Sequence, residues 1–219
     1  MQRIPEAELM EGEEQALAYA RANFDEPHAM FIRLFQEAVD HDITGMVLDL
    51  GCGTADITVR FAKAYPQCRL DGIDGSKSML HHAHELLAQS NLIDRVNLIH
   101  GYIPGMSLSD RHYDAVISNS LLHHLQDPMV LWDTIRQCAK PKVPVFVMDL
   151  LRPEDEVQAN NLVEENAANE PEILQRDFYN SLLAAYSIDE VKDQLRQSRL
   201  EHLAVKIVSD RHFIVSGYL

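Results

Sequence analysis

The stretch VLDLGCGTAD, residues 47–56, decides the fold. With Met46 ahead of it, its start is a short apolar run bounded by glycine, which reads as a buried strand. Gly51 and Gly53 follow at once, and a helix is expected over residues 54–65, ended by Pro66. Closely spaced glycines between a strand and a helix let a ligand approach the backbone, and the amides at the helix start can bind its polar groups. Two nucleotide-like cofactor classes use such a turn, one carrying hydride and one carrying methyl. The dinucleotide fingerprint needs a third glycine or alanine at its sixth position, where pyrophosphate lies close. Here that position is Asp56, whose carboxylate would repel pyrophosphate. Asp49, just before the glycines, suits a cofactor bearing an ammonium or sulfonium better than one bearing two phosphates.

Outward from this turn the pattern alternates. Helices are expected over 8–22 and 27–40, and strands over 46–50, 69–74, 96–100, 113–119 and 143–150. Ser76 can cap a helix running to about Ser90, and Asp127-Pro128 is a strong helix start. A loop with Gly101, Pro104, Gly105 and Asp110 follows the third strand. Alternating strands and helices imply a parallel sheet with right-handed crossovers and helices on both faces. The pattern then breaks. Residues 153–185 read as helical and acidic, and Ser187 to Glu190 (SIDE) forms a capping box. HLAVKIV (202–208) and RHFIVSGYL (211–219) are so close that they must form an antiparallel hairpin. The reading is a single α/β domain over 1–219. A helical N-terminal lid covers 1–42 and a cofactor-binding core 43–150. A helical substrate insert covers 151–187, and a final helix and hairpin 188–219.

With 219 residues, 46% of them hydrophobic, the chain can bury one large core. It has no run of eighteen apolar residues, so no membrane span is expected. The acidic N-terminus lacks an apolar signal region. Three scattered cysteines, Cys52, Cys68 and Cys138, suggest neither disulfides nor a zinc site and fit a reducing cytoplasm. A net charge of −15 repels a phosphate backbone, and no basic patch offsets it, so nucleic acid is not expected as a partner. Acid is concentrated at Glu6, Glu8, Glu11, Glu13 and Glu14 and again between Glu154 and Glu172. Such runs are read as solvated helix faces or as an acidic mouth for a cationic substrate. The oligomeric state is left open, a homodimer included.

VLDLGCGTAD, LDGIDGSKSML, IHGYIPG and YDAVISNSLLHHLQDP, followed by the terminal hairpin, resemble the class I S-adenosylmethionine-dependent methyltransferases over about residues 45–219. The similarity is greatest to the small-molecule group that includes the bacterial quinone-biosynthesis enzymes. It implies a Rossmann-like, doubly wound seven-stranded sheet in the order 3-2-1-4-5-7-6, with strand 7 antiparallel. It also implies S-adenosyl-L-methionine as cofactor, S-adenosyl-L-homocysteine as product, and methyl transfer to a small molecule by in-line displacement. On the family pattern Asp49, Gly51, Cys52 and Gly53 surround the amino-acid part of the cofactor and Asp74 holds the ribose. Gly75, Ser76 and Met79 lie near ribose and adenine, and Asn119, Ser120 and Leu121 offer backbone groups to the methionine ammonium. After strand 3 the family often has Gly-Asp, where this chain has Gly101-Tyr102, so adenine would meet the amides of Tyr102 and Ile103 or the tyrosine ring. A non-catalytic cofactor-binding subunit or sensor is the alternative. A tRNA or protein methyltransferase and an NAD-dependent oxidoreductase are weaker ones.

His123 follows strand 4 at a spacing similar to that of the catalytic histidine in plant small-molecule O-methyltransferases, which implies a general base; His124 is assigned to the cofactor pocket. Both can instead pack or cap. Asp177, Tyr179 and Asn180 in the insert and Tyr19 in the N-terminal helix are the substrate candidates, against the alternative of an ordinary amphipathic face. His81, His82 and His84 share one helix without a further ligand, so no metal site is expected. Cys52 reads as small and buried, its thiol pKa raised by Asp49.

Overall fold

The central strands are buried and largely apolar because both faces of the sheet are covered. The computed structural model describes residues 1–6, 12–106, 108 and 112–219. The chain begins with α1 (Glu13–Arg21) and α2 (Asp25–Ala38). Then come β1 (Gly45–Leu50), α3 (Asp56–Ala64), β2 (Cys68–Asp74), α4 (Lys77–Gln89), β3 (Val96–His100) and β4 (Ala115–Asn119). A 3-10 turn, Leu122–His124, leads to α5 (Met129–Cys138) and β5 (Pro144–Leu150). The insert supplies α6 (Glu156–Ala167) and α7 (Glu172–Ala184), and α8 (Ile188–Gln197), β6 (Ala204–Ile207) and β7 (His212–Tyr218) close the chain. The expected helix over 8–22 is seen as α1; its first residues, 8–11, lie outside the described ones, as does Asp110.

Among the described residues seven strands form one sheet in the order 3-2-1-4-5-7-6. The pairs β1–β2, β1–β4, β2–β3 and β4–β5 are parallel, and β7 runs antiparallel to β5 and β6. The inferred fold and closing hairpin are therefore present. The strands β6 and β7 are shorter than the runs expected from sequence, because Val208 and Ser209 turn back with their amides on the His212 carbonyl.

Strand alternation divides the core. Val47, Ala115, Ile117, Phe146 and Met148 pack on one face with Phe31, Phe35, Phe61 and Tyr65 from α2, α3 and the residue after α3. Leu48, Val116, Val145, Val147 and Phe213 pack on the other with Leu131, Trp132, Val191 and Leu195 from α5 and α8. The helix starts follow local chemistry. Ser76 accepts the Met79 amide, Asp127 accepts the Met129 amide, and Ser187 and Glu190 form the expected capping box. Phe35 is fully buried, with edge-on contacts to Phe61 at 4.8 Å, Phe146 at 5.5 Å and Tyr65 at 5.6 Å.

Phe35→Ala is expected to cost about 3–5 kcal/mol. For a chain of this size each kcal/mol lowers Tm by roughly 2–4 °C. Urea unfolding checks the figure, and a loss below about 1 kcal/mol would mean that α2 is not part of the main core.

Candidate active site

The glycine turn sits where the chain reverses its order across the sheet, between β1 and its neighbours β2 and β4. This is the switch point at which open α/β sheets bind ligands. The amides of Gly51 and Cys52 both donate to the Ile73 carbonyl at 2.9 Å, clamping the turn to β2. Gly51 has φ +73°, and a Cβ there would lie 2.9 Å from the Leu121 side chain, so no larger residue fits. Gly53, at φ +53°, has open space where a Cβ would be, which leaves its backbone reachable.

Two acidic side chains flank this turn. Asp74, at the end of β2, accepts the amides of Gly53 and Ser76, each at 2.8 Å. Burial raises its pKa against those two hydrogen bonds and the nearby His100. Asp49 is 1% exposed and takes one hydrogen bond, from the Thr58 hydroxyl at 2.6 Å. Burial, with the Asp74 carboxylate adding to it, pushes Asp49 up to about 7. Burial also holds the Cys52 thiol well above its ordinary value, with Asp49 adding, so Cys52 is unreactive as expected. Burial pushes the Tyr19 phenol up to about 12, with Asp56 and Asp74 adding to it. Asp56 itself pairs with His28 of α2 and with Arg60 one turn along α3.

A cavity of about 320 Å³ opens over the turn. At the glycine-turn end its wall includes Asp49, Gly51, Cys52, Gly53, Asp74, Gly75, Ser76, Met79, Gly101, Tyr102, Ile103, Asn119, Ser120 and Leu121. Tyr19, Asn23, Phe24, Pro27 and His28 from α1, α2 and their junction close one side. Ser120 has φ +55°, a strained conformation for a side-chain-bearing residue, and its amide bonds to the Met148 carbonyl on β5. The far end is lined by His123, His124, Asn166, Glu170, Asp177, Phe178, Ser181, Arg211 and His212, among others. Burial, helped by Arg211, drives His212 down to about 4, so it is neutral at neutral pH.

His123 is 2% exposed and held from both sides. Its Nδ1 lies 2.6 Å from Asp149 at the end of β5, and its Nε2 lies 3.6 Å from Glu6. Burial alone lowers its pKa, but Asp149 and Glu6 together outweigh that and raise it. The two carboxylates favour the charged form of the ring, whose Nδ1 is hydrogen-bonded to Asp149. The Glu6 carboxylate also lies 3.2 Å from Nδ1 of His124 and accepts the Ser181 hydroxyl at 2.9 Å.

Residues 47–142 match the family described as a methyltransferase domain. Over that stretch the chain is similar to methyltransferase domains, and its sheet has the strand order that the resemblance implies. It is 32% identical over 100 residues to a malonyl-[acyl-carrier protein] O-methyltransferase of Halalkalibacterium halodurans, covering 43% of this chain and 35% of that one. It is 29% identical over 168 residues to the 27-O-demethylrifamycin SV methyltransferase of Amycolatopsis mediterranei, covering 74% and 56%. The chain thus spans between about a third and just over half of the length of these curated relatives. In fold it is similar to a SAM dependent methyltransferase from Aquifex aeolicus, with a TM-score of 0.68 at 17% identity over 92% of this chain and 96% of that one.

Most of the residues singled out from sequence meet in one cavity. Two do not. Tyr179 and Asn180 are half-buried but do not line it, whereas Leu174, Asp177, Phe178 and Ser181 do. That set has the i, i+3, i+4, i+7 spacing of one helix face, and Tyr179 and Asn180 fall outside it. Sequence reasoning missed Glu6 and Asp149. A carboxylate inside the apolar run VPVFVMDL is a signal for Asp149; Glu6 gave none beyond its place in an acidic run.

The Asp49 shift carries a sign. Its folded pKa, about 7, lies above the ordinary carboxylate value, so the folded state binds the proton more tightly. Its ionisation therefore destabilises the fold progressively from about pH 4 to pH 7, and fully above that. At roughly 1.4 kcal/mol per pKa step the cost is at most a few kcal/mol. Asp49→Asn is expected to raise Tm by several degrees near pH 8 and to change it little near pH 4, on the order set by these pKa values. Equal effects at the two pH values would contradict the assignment.

Proposed function

We propose that the protein transfers a methyl group from S-adenosylmethionine to a small-molecule acceptor, releasing S-adenosylhomocysteine. The carrying observation is the pair of carboxylates, Asp49 and Asp74, on either side of a glycine turn with one open backbone face. This donor set fits the methyl donor. Asp74 retains lone pairs for ribose hydroxyls beyond the two amides it already accepts. Asp49 has a single hydrogen bond and would gain from a nearby ammonium or sulfonium. Gly51, Cys52, Gly53, Asn119, Ser120 and Leu121 complete the amino-acid end of the proposed site. Gly75, Ser76, Met79, Gly101, Tyr102 and Ile103 form its nucleoside end, with Tyr102 replacing the family's carboxylate. His124 bridges this site and the acceptor end.

When bound, S-adenosylmethionine supplies a methyl already activated by its positive sulfur. The chain's task is then alignment and exclusion of water, and alignment can be worth about 7–11 kcal/mol. Tyr19 and its neighbours in α1 and α2 are proposed as the lid. Asp177, Phe178 and Ser181 are proposed as the acceptor wall. The O-methyltransferase among the relatives supports an oxygen as the methylated atom. No helix among the described residues is long and apolar enough to cross a membrane, which agrees with an acceptor reached from water.

S-adenosylhomocysteine is expected to raise the Tm, and NADH is not. Asp74→Ala should remove most of that rise while leaving the unliganded Tm within a few degrees. Stabilisation by NADH alone would sink the reading.

A further inference from the structure

We propose that Glu6, His123 and His124 form a divalent metal site that holds an oxygen of the methyl acceptor. The inference rests on the methyl-transfer reading only for that last clause. The three side chains converge: one oxygen or nitrogen from each lies within 4.8 Å of the others. Glu6 Oε1 is 3.6 Å from His123 Nε2 and 3.2 Å from His124 Nδ1. Ligands at about 2.1 Å around a tetrahedral ion stand about 3.4 Å apart, and the two distances from Glu6 lie on either side of that value.

The surroundings are those of a metal site. His123 presents Nε2 because its Nδ1 is held by Asp149, the carboxylate–histidine arrangement that orients metal-bound imidazoles. Asp149 is itself fixed by the amides of Leu122 and Leu150, each at 2.7 Å. Glu6 is oriented by the Ser181 hydroxyl. The segment that carries Glu6 is anchored to the same loop as the histidines. Arg3 donates to the carbonyls of His123 at 2.8 Å, Leu125 at 3.1 Å and Ala184 at 2.6 Å, and its guanidinium lies 4.1 Å above the Tyr186 ring. The Ile4 amide bonds to the Leu183 carbonyl.

The charge at the site is mixed: Glu6 and Asp149 flank His123, with the Arg3 guanidinium on its carbonyl, and Asp177 is paired with Arg176. Two imidazoles and a carboxylate suit zinc or ferrous iron better than magnesium. His123 and His124 also line the cavity that holds the glycine turn, so an open coordination position there would face a bound acceptor. The acceptor class that fits is a small molecule with a metal-binding oxygen, such as a phenol, enol or hydroxy acid.

The test uses the full chain without an affinity tag, stripped with a chelator and titrated with Co²⁺ and Zn²⁺. One equivalent of Co²⁺ should give visible absorption bands, displaced by Zn²⁺. Glu6→Gln and His124→Ala should each weaken binding about 10- to 100-fold. His84→Ala, on the exposed face of α4, should leave it unchanged. Circular dichroism verifies that each variant is folded. No stoichiometric binding by the wild type, or binding indifferent to both Glu6→Gln and His124→Ala, overturns the site. The S-adenosylhomocysteine shift, measured on the same stripped samples, separates the two readings. Its persistence without metal binding removes the metal site alone, and its loss with metal binding intact removes the methyl-donor reading.

Discussion

The Asp149 carboxylate ties the functional end of the sheet together. It is 1% exposed at the end of β5 and accepts the amides of Leu122 and Leu150 and the Nδ1 proton of His123. An isolated buried carboxylate would be costly, and these three donors make it tolerable. Burial raises its pKa, but His123 and the two amides overcome that and leave it below the usual range. The hydrogen bonds also fix the loop between β4 and α5. That loop carries both histidines, and its carbonyls receive Arg3 and the Tyr186 hydroxyl. The N-terminal segment, the insert and the turn after β4 thus meet through one strand end.

The fold was legible because its signals are local. Apolar runs, capping residues and a hairpin too tight to be anything but antiparallel each act over a few positions. The glycine-turn end of the cavity was legible for the same reason: VLDLGCGTAD and LDGID bring their residues to one cavity by short spacing alone. The acceptor end was not. Helices α1 and α2 and the whole stretch from β1 to β4 lie between Glu6 and His123, and Arg3 ties their segments together by reaching backbone carbonyls far along the chain. No spacing rule encodes such a contact. In α7 the cluster Asp177, Tyr179 and Asn180 looked functional by composition, yet helix geometry lets only Asp177 face the cavity. His123 was found, but the two carboxylates beside it, Asp149 and Glu6, were not.

Asp49 and Asp149 show how one fold prepares two different ends of a site. Each is the penultimate residue of a central parallel strand, and each is 1% exposed. Their pKa values nevertheless move in opposite directions. Burial acts on both alike, so the difference lies in their partners. Asp149 has an imidazole and two amides, whereas Asp49 has one hydroxyl and faces a second carboxylate, Asp74. The first carboxylate is satisfied within the protein and acts as a fixed support. The second is left under-satisfied, at a cost to stability, beside a glycine turn that opens to the cavity. A positively charged ligand binding there would recover that cost, so the electrostatic strain at Asp49 becomes affinity for the charge that the proposed methyl donor carries.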